Sequence, residues 1–220
     1  FLILEALHVL PDHQVGFRQD HGTPEQCHRV VKTIRDALEN QLYCCSVFLD
    51  VKQAFDRVWH NGLLFKLKNI LPTPFYLLLK SYLNGRRFFV NINDEDSAIG
   101  LIKSGVPQGS VLGPVLYTIF TSDMPTNNDV LIATYADDTA ILASKQSATE
   151  ASNVVQRQLD VIQNWLNKWN IKVNAEKSVH VTYTLKQGDC PPVSLNGVPL
   201  PTYTWEYLGI YIYMEKSHRR

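Results

Sequence analysis

The sequence is poor in cysteine, and its few cysteines have no spacing that suggests a metal site or a disulfide framework. They are Cys27, Cys44, Cys45 and Cys190, with no CxxC pair among them. Zinc sites need closely spaced ligand pairs, and small secreted scaffolds need a higher density of cysteine. We therefore expect an intracellular protein with reduced thiols, in which Cys44 and Cys45 are buried strand residues.

Long apolar runs are also missing. No stretch approaches the roughly 18 apolar residues that a membrane-spanning helix requires, and the opening run 1–4 is followed at once by Glu5. The sequence predicts neither a membrane association nor a signal peptide. Because it begins at Phe1 inside an apolar stretch, we expect it to be a fragment of a longer open reading frame.

The sequence also has no excess of charge of one sign. The 21 basic and 21 acidic residues give a formal net charge of zero. Nucleic-acid-binding modules usually carry a basic surface, so this balance counts mildly against a simple binding module. It does not exclude an enzyme that gathers carboxylates around metal ions.

Strand and helix patterns are interleaved along the chain. Residues 23–26 (TPEQ) resemble a helix start with a capping box, and apolar residues at helical spacing follow up to Leu38. The run 44–51 predicts a strand buried on both faces. Further helices are predicted at 63–71, 75–83, 113–121 and 147–169, and hairpins at 88–102 and 130–143. The last of these helices is predicted to begin with a capping box of Ser147 and Glu150 and to place Trp165 and Trp169 in the core. Because several strand pairs are hairpins, the fold class is α+β.

Three aspartates occupy positions where apolar residues are expected. Asp50 ends the buried strand, and Asp137 and Asp138 join two apolar strands. Burying an unpaired carboxylate is costly, so such groups need a cation or a hydrogen-bond network. Mg²⁺ favours carboxylate oxygens together with substrate phosphates. Two ions ~3.5–4 Å apart can activate an attacking hydroxyl and stabilise a leaving oxygen. An ordinary Asp-Asp turn is the alternative.

The order of short motifs resembles that of reverse transcriptases. Residues 48–60 (FLDVKQAFDRVWH) are similar to the first catalytic block of that family, in the form found in non-LTR retrotransposons of the Jockey-like type. The remaining blocks are matched in family order by residues 14–18 (QVGFR), 104–114 (SGVPQGSVLGP), 135–138 (YADD), 174–178 (NAEKS) and 207–210 (YLGI). The resemblance therefore covers nearly the whole chain.

The resemblance implies the fingers and palm of a right-hand polymerase, without its thumb. The palm is expected to be an antiparallel sheet backed by helices, of ferredoxin- or RRM-like type. The implied parts are the N-terminal fingers at 1–43, the palm strand at 44–60, connecting helices and a hairpin at 61–103, and the rest of the palm at 104–220.

The resemblance also assigns the metal ligands. Asp50 and Asp137 are expected to ligate two Mg²⁺ ions, with Mn²⁺ as a possible substitute. Asp138 is expected to assist at the ion that activates the primer 3′-hydroxyl, and the backbone carbonyl of Val51 is a further ligand. We interpret the nearby Asp56 as a local structural residue.

Substrate contacts are implied for several other residues. Phe55 matches the steric gate against a ribose 2′-hydroxyl, with core packing as the alternative. Gln108 and Gly109 lie in a turn expected to contact the incoming nucleotide, unless the turn only leads into the next helix. Lys177 is expected to protonate the pyrophosphate, and Arg18 to grip the triphosphate. Their alternatives are a solvated lysine and a surface salt bridge.

The last matching block, Tyr207, Leu208 and Gly209, resembles the primer grip, with ordinary strand packing as the alternative. Two departures from the family pattern stand out: Asp20 places a negative charge near Arg18, and Ala175 and Ser178 replace the usual proline and threonine.

The function implied is RNA-directed DNA polymerisation by two-metal nucleotidyl transfer. Its partners are an RNA template, a DNA primer and deoxynucleoside triphosphates. The resemblance also implies thumb and endonuclease domains in the full-length polyprotein, and action in the nucleus during integration. A piece without its thumb need not be active. Two alternatives stay open: a non-catalytic nucleic-acid-binding relic of a mobile element, and an RNA-directed RNA polymerase, which the aromatic Phe55 disfavours.

Overall fold

The computed structural model describes residues 10–17 and 21–202, and the backbone of 205–207 and 210–212. It divides into two compact units. The hairpin unit contains Gln53–Asp123 with Leu10, and the sheet unit contains Pro11–Lys52 with the described residues from Met124 onward. Within these described parts, no helix is both long and apolar enough to cross a membrane.

The helices and strands follow the predicted alternation. The helices are α1 (Thr23–Glu39), α2 (His60–Ile70), α3 (Thr73–Leu83), α4 (Leu112–Thr121) and α5 (Ala148–Lys168). The strands are β1 (Tyr43–Leu49), β2 (Arg87–Phe88), β3 (Asn91–Ile92), β4 (Glu95–Asp96), β5 (Gly100–Leu101), β6 (Leu131–Tyr135), β7 (Asp138–Lys145), β8 (Val179–Tyr183), β9 (Ser194–Leu195), β10 (Val198–Pro199), β11 (Trp205–Tyr207) and β12 (Ile210–Ile212).

An antiparallel four-stranded sheet organises the sheet unit, in the order β6-β7-β1-β8. Strand β1 lies between β7 and β8, and its residues after Tyr43 are all buried. Helix α1 packs on the side chains of Cys44 and Phe48, while α5 packs against β1 and β7 with Leu159 and Ile162 fully buried. Both faces of β1 are thus covered, as its continuous apolar run predicts.

The start of α1 differs from the prediction. The N-cap residue is Gly22, which has no side chain to bond the first turn, so the predicted Thr23–Gln26 capping box is wrong. Gln26 is instead fully buried, and its Nε2 donates to the carbonyls of His13 and Thr134. A buried amide must find hydrogen-bond partners, and here the strand edge provides them.

Helix α5 begins and packs as predicted. The hydroxyl of Ser147 accepts a hydrogen bond from the Glu150 backbone N–H at 3.1 Å, which satisfies one of the amides at the helix start. Trp165 and Trp169 are buried on its apolar side, so their predicted role in the core is confirmed.

The hairpin unit contains α2, α3, α4 and the two short ladders β2–β5 and β3–β4. The outer ladder closes through Asn93 and Asp94, both with positive φ, which asparagine and aspartate tolerate better than most residues. Helix α2 is tied to the end of α4 by the buried Lys66, whose Nζ bonds the Phe120 carbonyl and the Asp123 carboxylate.

Replacing Phe48 by alanine is expected to lower the free energy of unfolding by about 3–5 kcal/mol, because a fully buried ring would leave a cavity beneath α1. Val161→Ala on α5 is the control, since Val161 is 49% exposed and a surface change costs about 0.5 kcal/mol or less. Urea unfolding measures both. Equal losses in the two variants would contradict the assignment of β1 to the core.

Candidate active site

The structure brings Asp50, Asp137 and Asp138 to the same end of the sheet. In the β1–β7 ladder, Leu49 pairs with Thr139. Asp50 directly follows Leu49, and Asp138 directly precedes Thr139, so these two aspartates lie across from each other where the strands end. Directly opposed residues in antiparallel pairs have Cβ atoms about 4.5–5.5 Å apart. Asp137 occupies the turn that leads into β7.

The three carboxylates influence one another electrostatically. Partial burial raises the pKa of Asp138 to about 6, and the charges of Asp137 and then Asp50 add to this rise. Burial also raises the pKa of Asp137, with a further contribution from Asp50 and a partial offset from the backbone N–H of Asp137. Like charges held this close disfavour ionisation, and a bound divalent cation would relieve the repulsion.

The donor set fits an open divalent site. Among the described residues, no three His, Cys, Asp or Glu side chains lie close enough to enclose a metal ion. Magnesium does not need such an enclosure, because it retains waters and takes one or two carboxylates together with substrate phosphates. The all-oxygen set of Asp50, Asp137 and Asp138 suits that hard cation.

Residues of the 174–178 block fix the backbone at Asp50. The Asp50 N–H donates to Oγ of Ser178 at 3.1 Å, and the Asp50 carbonyl accepts from the N–H of Asn174 at 2.8 Å. The hydroxyl of Ser178 in turn donates to the Asn174 carbonyl at 2.8 Å. Serine therefore performs this task with the same hydroxyl that a threonine would supply. Lys177, in the same turn, is exposed to solvent.

Val51 continues the strand beyond Asp50 by an isolated bridge to Val173. The hydrogen bonds of this bridge are made by the flanking Asp50 and Lys52, with Lys52 N–H donating to the Lys172 carbonyl at 2.8 Å. In such a pair the central residue does not use its own carbonyl in the ladder. The position suits the predicted use of the Val51 carbonyl as a ligand.

The turn before Asp138 holds a strained residue. Tyr135 pairs with Asp138, so Ala136 and Asp137 form a two-residue hairpin loop. Ala136 has a φ of 57°, in the left-handed region that favours glycine. For a residue with a Cβ this conformation costs about 1–2 kcal/mol. Some surrounding contact must hold the turn in this state.

In the hairpin unit, the segments around Phe55 and Gln108 are joined through their backbones. The N–H of Val106 donates to the Phe55 carbonyl at 2.8 Å, and a ring nitrogen of His60 lies 2.7 Å from the Gly105 carbonyl. Gly105 has a φ of 90°, and a Cβ there would come within 2.7 Å of the Asp56 carbonyl oxygen. Glycine is therefore required at this junction.

The two predicted substrate residues of this unit lie on that joined frame. Phe55 is half-buried and stacks on Tyr117, with ring centroids 4.8 Å apart. Gln108 is exposed, and its Nε2 donates to Oδ1 of Asp56 at 3.1 Å. Gly109 has a φ of 79° and open space where a Cβ would point. Asp56 therefore orients the side chain of Gln108, although the sequence suggested only a local structural role for this aspartate.

A groove of about 610 Å³ lies beside Gln108 in the same unit. Its lining includes the cationic side chains of Arg86 and Lys103 and the apolar ring of Phe88. Sequence reasoning missed Arg86 and Lys103, because neither belongs to a recognisable motif. Proximity to Gln108 in the folded chain is the feature that marks them.

Several predicted site residues lie outside the described part of the chain. They are Arg18, Leu208 and Gly209. For Tyr207 only the backbone is described, as the end of β11.

The comparisons of this chain with known proteins agree on one family. The model for "Reverse transcriptase (RNA-dependent DNA polymerase)" matches residues 2–212. The RNA-directed DNA polymerase from mobile element jockey of Drosophila melanogaster is 50% identical over 92% of this chain, which covers 23% of that protein. The probable RNA-directed DNA polymerase from transposon BS of the same species is 45% identical over 94% of this chain, which covers 24% of it.

Among solved structures, a Candida tropicalis telomerase in complex with a fragment of telomeric RNA superimposes with a TM-score of 0.63. The match covers 91% of this chain and 35% of the telomerase, at 17% sequence identity. At that identity the likeness shows a shared polymerase fold, and it agrees with the α+β class predicted from the sequence.

Asp138→Asn is expected to stabilise the metal-free protein above pH 6 and to have no such effect near pH 4. Folding raises the pKa of Asp138 from about 3.9 to about 6, so its ionised form costs stability, and the cost grows as pH rises through this interval. Asparagine removes the cost. Because Asp138 is only partly shielded and much of its side chain meets solvent, screening limits the gain to about 1 kcal/mol or less. Urea unfolding with a chelator present measures it; an equal gain at about pH 4 and pH 7.5 would contradict the electrostatic origin.

Proposed function

This chain belongs to the reverse transcriptase family, and we propose that it extends a DNA primer by copying an RNA template. Its predicted likeness to the Jockey-like, non-LTR elements agrees with the identity to the jockey and BS polymerases. The observation that carries the proposal is the placement of Asp50, Asp137 and Asp138 at one end of an antiparallel sheet. Three carboxylates from two distant segments serve no packing purpose there.

The aspartates are proposed to hold two divalent cations, Mg²⁺ or alternatively Mn²⁺. When bound, these ions activate the primer 3′-hydroxyl and neutralise the charge on the leaving pyrophosphate. Asp50 and Asp137 would be shared by both ions, Asp138 would serve the one nearer the primer, and the Val51 carbonyl would add a ligand. The contribution of the chain is positioning and charge, as is general for phosphoryl transfer.

The sheet unit supports assignment as the palm, because it carries the aspartates on a sheet covered by α1 and α5. Residues 1–43 stay assigned to the N-terminal part of the fingers, and their helix α1 packs on this sheet. The hairpin unit, with α2, α3 and the β2–β5 ladder, is assigned to the connection between fingers and palm. A thumb is proposed to belong to the longer protein.

The hairpin unit is proposed to read the nucleotide and the template. Phe55, supported from one side by Tyr117, would lie under the sugar and exclude a ribose 2′-hydroxyl. Gln108, oriented by Asp56, would contact the incoming nucleotide. Arg86 and Lys103 of the adjacent groove offer positive charge for template phosphates.

Other roles rest on the family resemblance alone. These are the triphosphate grip of Arg18, proton donation by Lys177 and the primer grip of Tyr207, Leu208 and Gly209. The chain spans about a quarter of the length of its curated relatives. An endonuclease domain, deoxynucleotide substrates and action in the nucleus are therefore proposals about the whole protein.

Asp137→Asn is expected to reduce primer extension by at least about a hundredfold, because a lost metal ligand removes several kcal/mol of charge stabilisation. The assay is extension of a DNA primer on an RNA template by the full-length protein, over a Mg²⁺ titration. Asp129→Asn is the matched control: it is an exposed aspartate of the same unit whose ion pair with Lys145 spans 3.5 Å. Near-normal extension by Asp137→Asn would remove the metal role of Asp137, whereas no extension by the wild-type protein would favour the relic.

Phe55→Val is expected to raise incorporation of ribonucleotides at least about tenfold relative to deoxynucleotides, because a smaller side chain leaves room for the 2′-hydroxyl. Competition between the two nucleotide classes in primer extension measures the ratio. Phe65→Val is the control, since Phe65 lies on α2 in the same unit and is 63% exposed. Unchanged discrimination in Phe55→Val would assign that ring to packing.

A further inference from the structure

The segment just after Leu10 forms an additional edge on the sheet. The N–H of Thr134 donates to the His13 carbonyl at 2.8 Å, and the N–H of Val15 donates to the Thr134 carbonyl at 3.2 Å. These bonds place Gln14 beside Thr134 in parallel pairing with β6. The segment thereby runs toward the hairpin turn that precedes Asp137 and Asp138.

The side-chain amide of Gln14 forms hydrogen bonds with both backbone polar groups of Ala136 in that turn. Its Nε2 donates to the Ala136 carbonyl at 3.1 Å, and its Oε1 accepts from the Ala136 N–H at 3.2 Å. The same oxygen accepts from the N–H of Gly16 at 2.9 Å. Gln14 is only 3% exposed, so these bonds are shielded from water. Among uncharged side chains of similar length, only glutamine offers both a donor and an acceptor here.

Ala136, which Gln14 bonds, is also the strained residue of the turn. Ala136 has its φ at 57° and is the first residue of the two-residue loop, with Asp137 the second. Gly16 closes over the same peptide: a Cβ at Gly16 would lie 2.4 Å from the Ala136 nitrogen. Glycine at 16 is what lets the segment approach, and Gln14 supplies the hydrogen bonds.

We propose that Gln14 is a positioning residue for the metal site, which fixes the Ala136 turn and so aims the carboxylates of Asp137 and Asp138. This proposal rests on the proposed polymerase function, because the orientation of the turn matters only if Asp137 and Asp138 bind metal ions. A carboxylate can bind a cation tightly only when its backbone is already oriented, and supporting residues commonly govern metal affinity. Gln14 touches neither substrate nor metal and acts through the turn.

A purely structural role of Gln14, attachment of the segment to β6, can be separated from positioning of the turn, because another glutamine makes the same attachment. Gln26 is fully buried and donates to the carbonyls of His13 and Thr134 at 2.9 and 2.8 Å. It therefore attaches the same segment to the same strand without bonding Ala136. Gln14→Met and Gln26→Met remove buried hydrogen bonds from one region, and only the first releases the turn.

The test measures binding of Mn²⁺ to the full-length protein by electron paramagnetic resonance, together with the melting temperature. The relevant signal is the part that Asp137→Asn abolishes. Gln14→Met is expected to raise the Mn²⁺ concentration for half-saturation of this signal by about 10-fold or more. Gln26→Met is expected to change it by about twofold or less, although its melting temperature falls at least as far.

A second background keeps the test decisive if Gln14→Met folds poorly. Ala136→Gly removes the Cβ that disfavours the left-handed turn, so the protein should tolerate loss of Gln14 better. In that background Gln14→Met is still expected to weaken Mn²⁺ binding at least about threefold more than Gln26→Met does, because a glycine at 136 is free of strain but does not orient the turn. Equal shifts in the two variants would overturn the proposal there as well.

The outcomes separate the two claims. If Gln14→Met and Gln26→Met shift Mn²⁺ binding equally, or neither shifts it, Gln14 has only a structural role and the positioning proposal is overturned. If Asp137→Asn removes no Mn²⁺ signal from the wild-type protein, the proposed metal site itself fails. A selective shift in Gln14→Met with an intact wild-type site supports both.

Discussion

The placement of three carboxylates at the partly buried end of an apolar sheet is the constraint on which the proposed site depends. Burial raises the pKa of Asp138 to about 6, and the charges of Asp137 and Asp50 add to this rise, so the ionised carboxylate is unfavourable there without a cation. A flexible chain would separate these groups. They stay together because β1 lies between β7 and β8, both of its faces are covered, and its strand end is bonded to Ser178 and Asn174. The rigidity of the sheet thus maintains a charge arrangement that a metal site requires.

Much of this frame could be predicted from local sequence patterns. The apolar run 44–51 fixed the position of β1, and the helical spacing of apolar residues fixed α1 and α5, because burial of a face imposes periodicity on the sequence. The cap of α5 at Ser147 followed the same local logic. The cap predicted for α1 failed, because the Gln26 side chain donates to the Thr134 carbonyl and accepts from Arg29, and does not bond the start of the helix. Tertiary partners outcompeted a local pattern there.

The supports of the site could not be predicted in the same way. Gln108 bonds Asp56, which is 52 residues away, and Gln14 bonds Ala136, which is 122 residues away. Such pairs depend on strand register and on which loops meet, and no short window of sequence contains both partners. The left-handed φ of Ala136 is equally hidden, since alanine gives no sign of an unusual turn. Asp50 and the Asp137–Asp138 pair were identifiable because each interrupts an apolar run and also lies in a motif block that resembles those of reverse transcriptases.

The contacts also give a physical reason why the motif blocks contain residues with no chemistry of their own. Each block supports another: Ser178 of the 174–178 block holds Asp50, Asp56 of the 48–60 block holds Gln108, and Gln14 of the 14–18 block holds the turn of the 135–138 block. Each block therefore contains residues that position another block, in addition to residues with a proposed chemical role. A substitution in one block should disturb the chemistry assigned to its partner, and the order of blocks along the chain conceals this pairing.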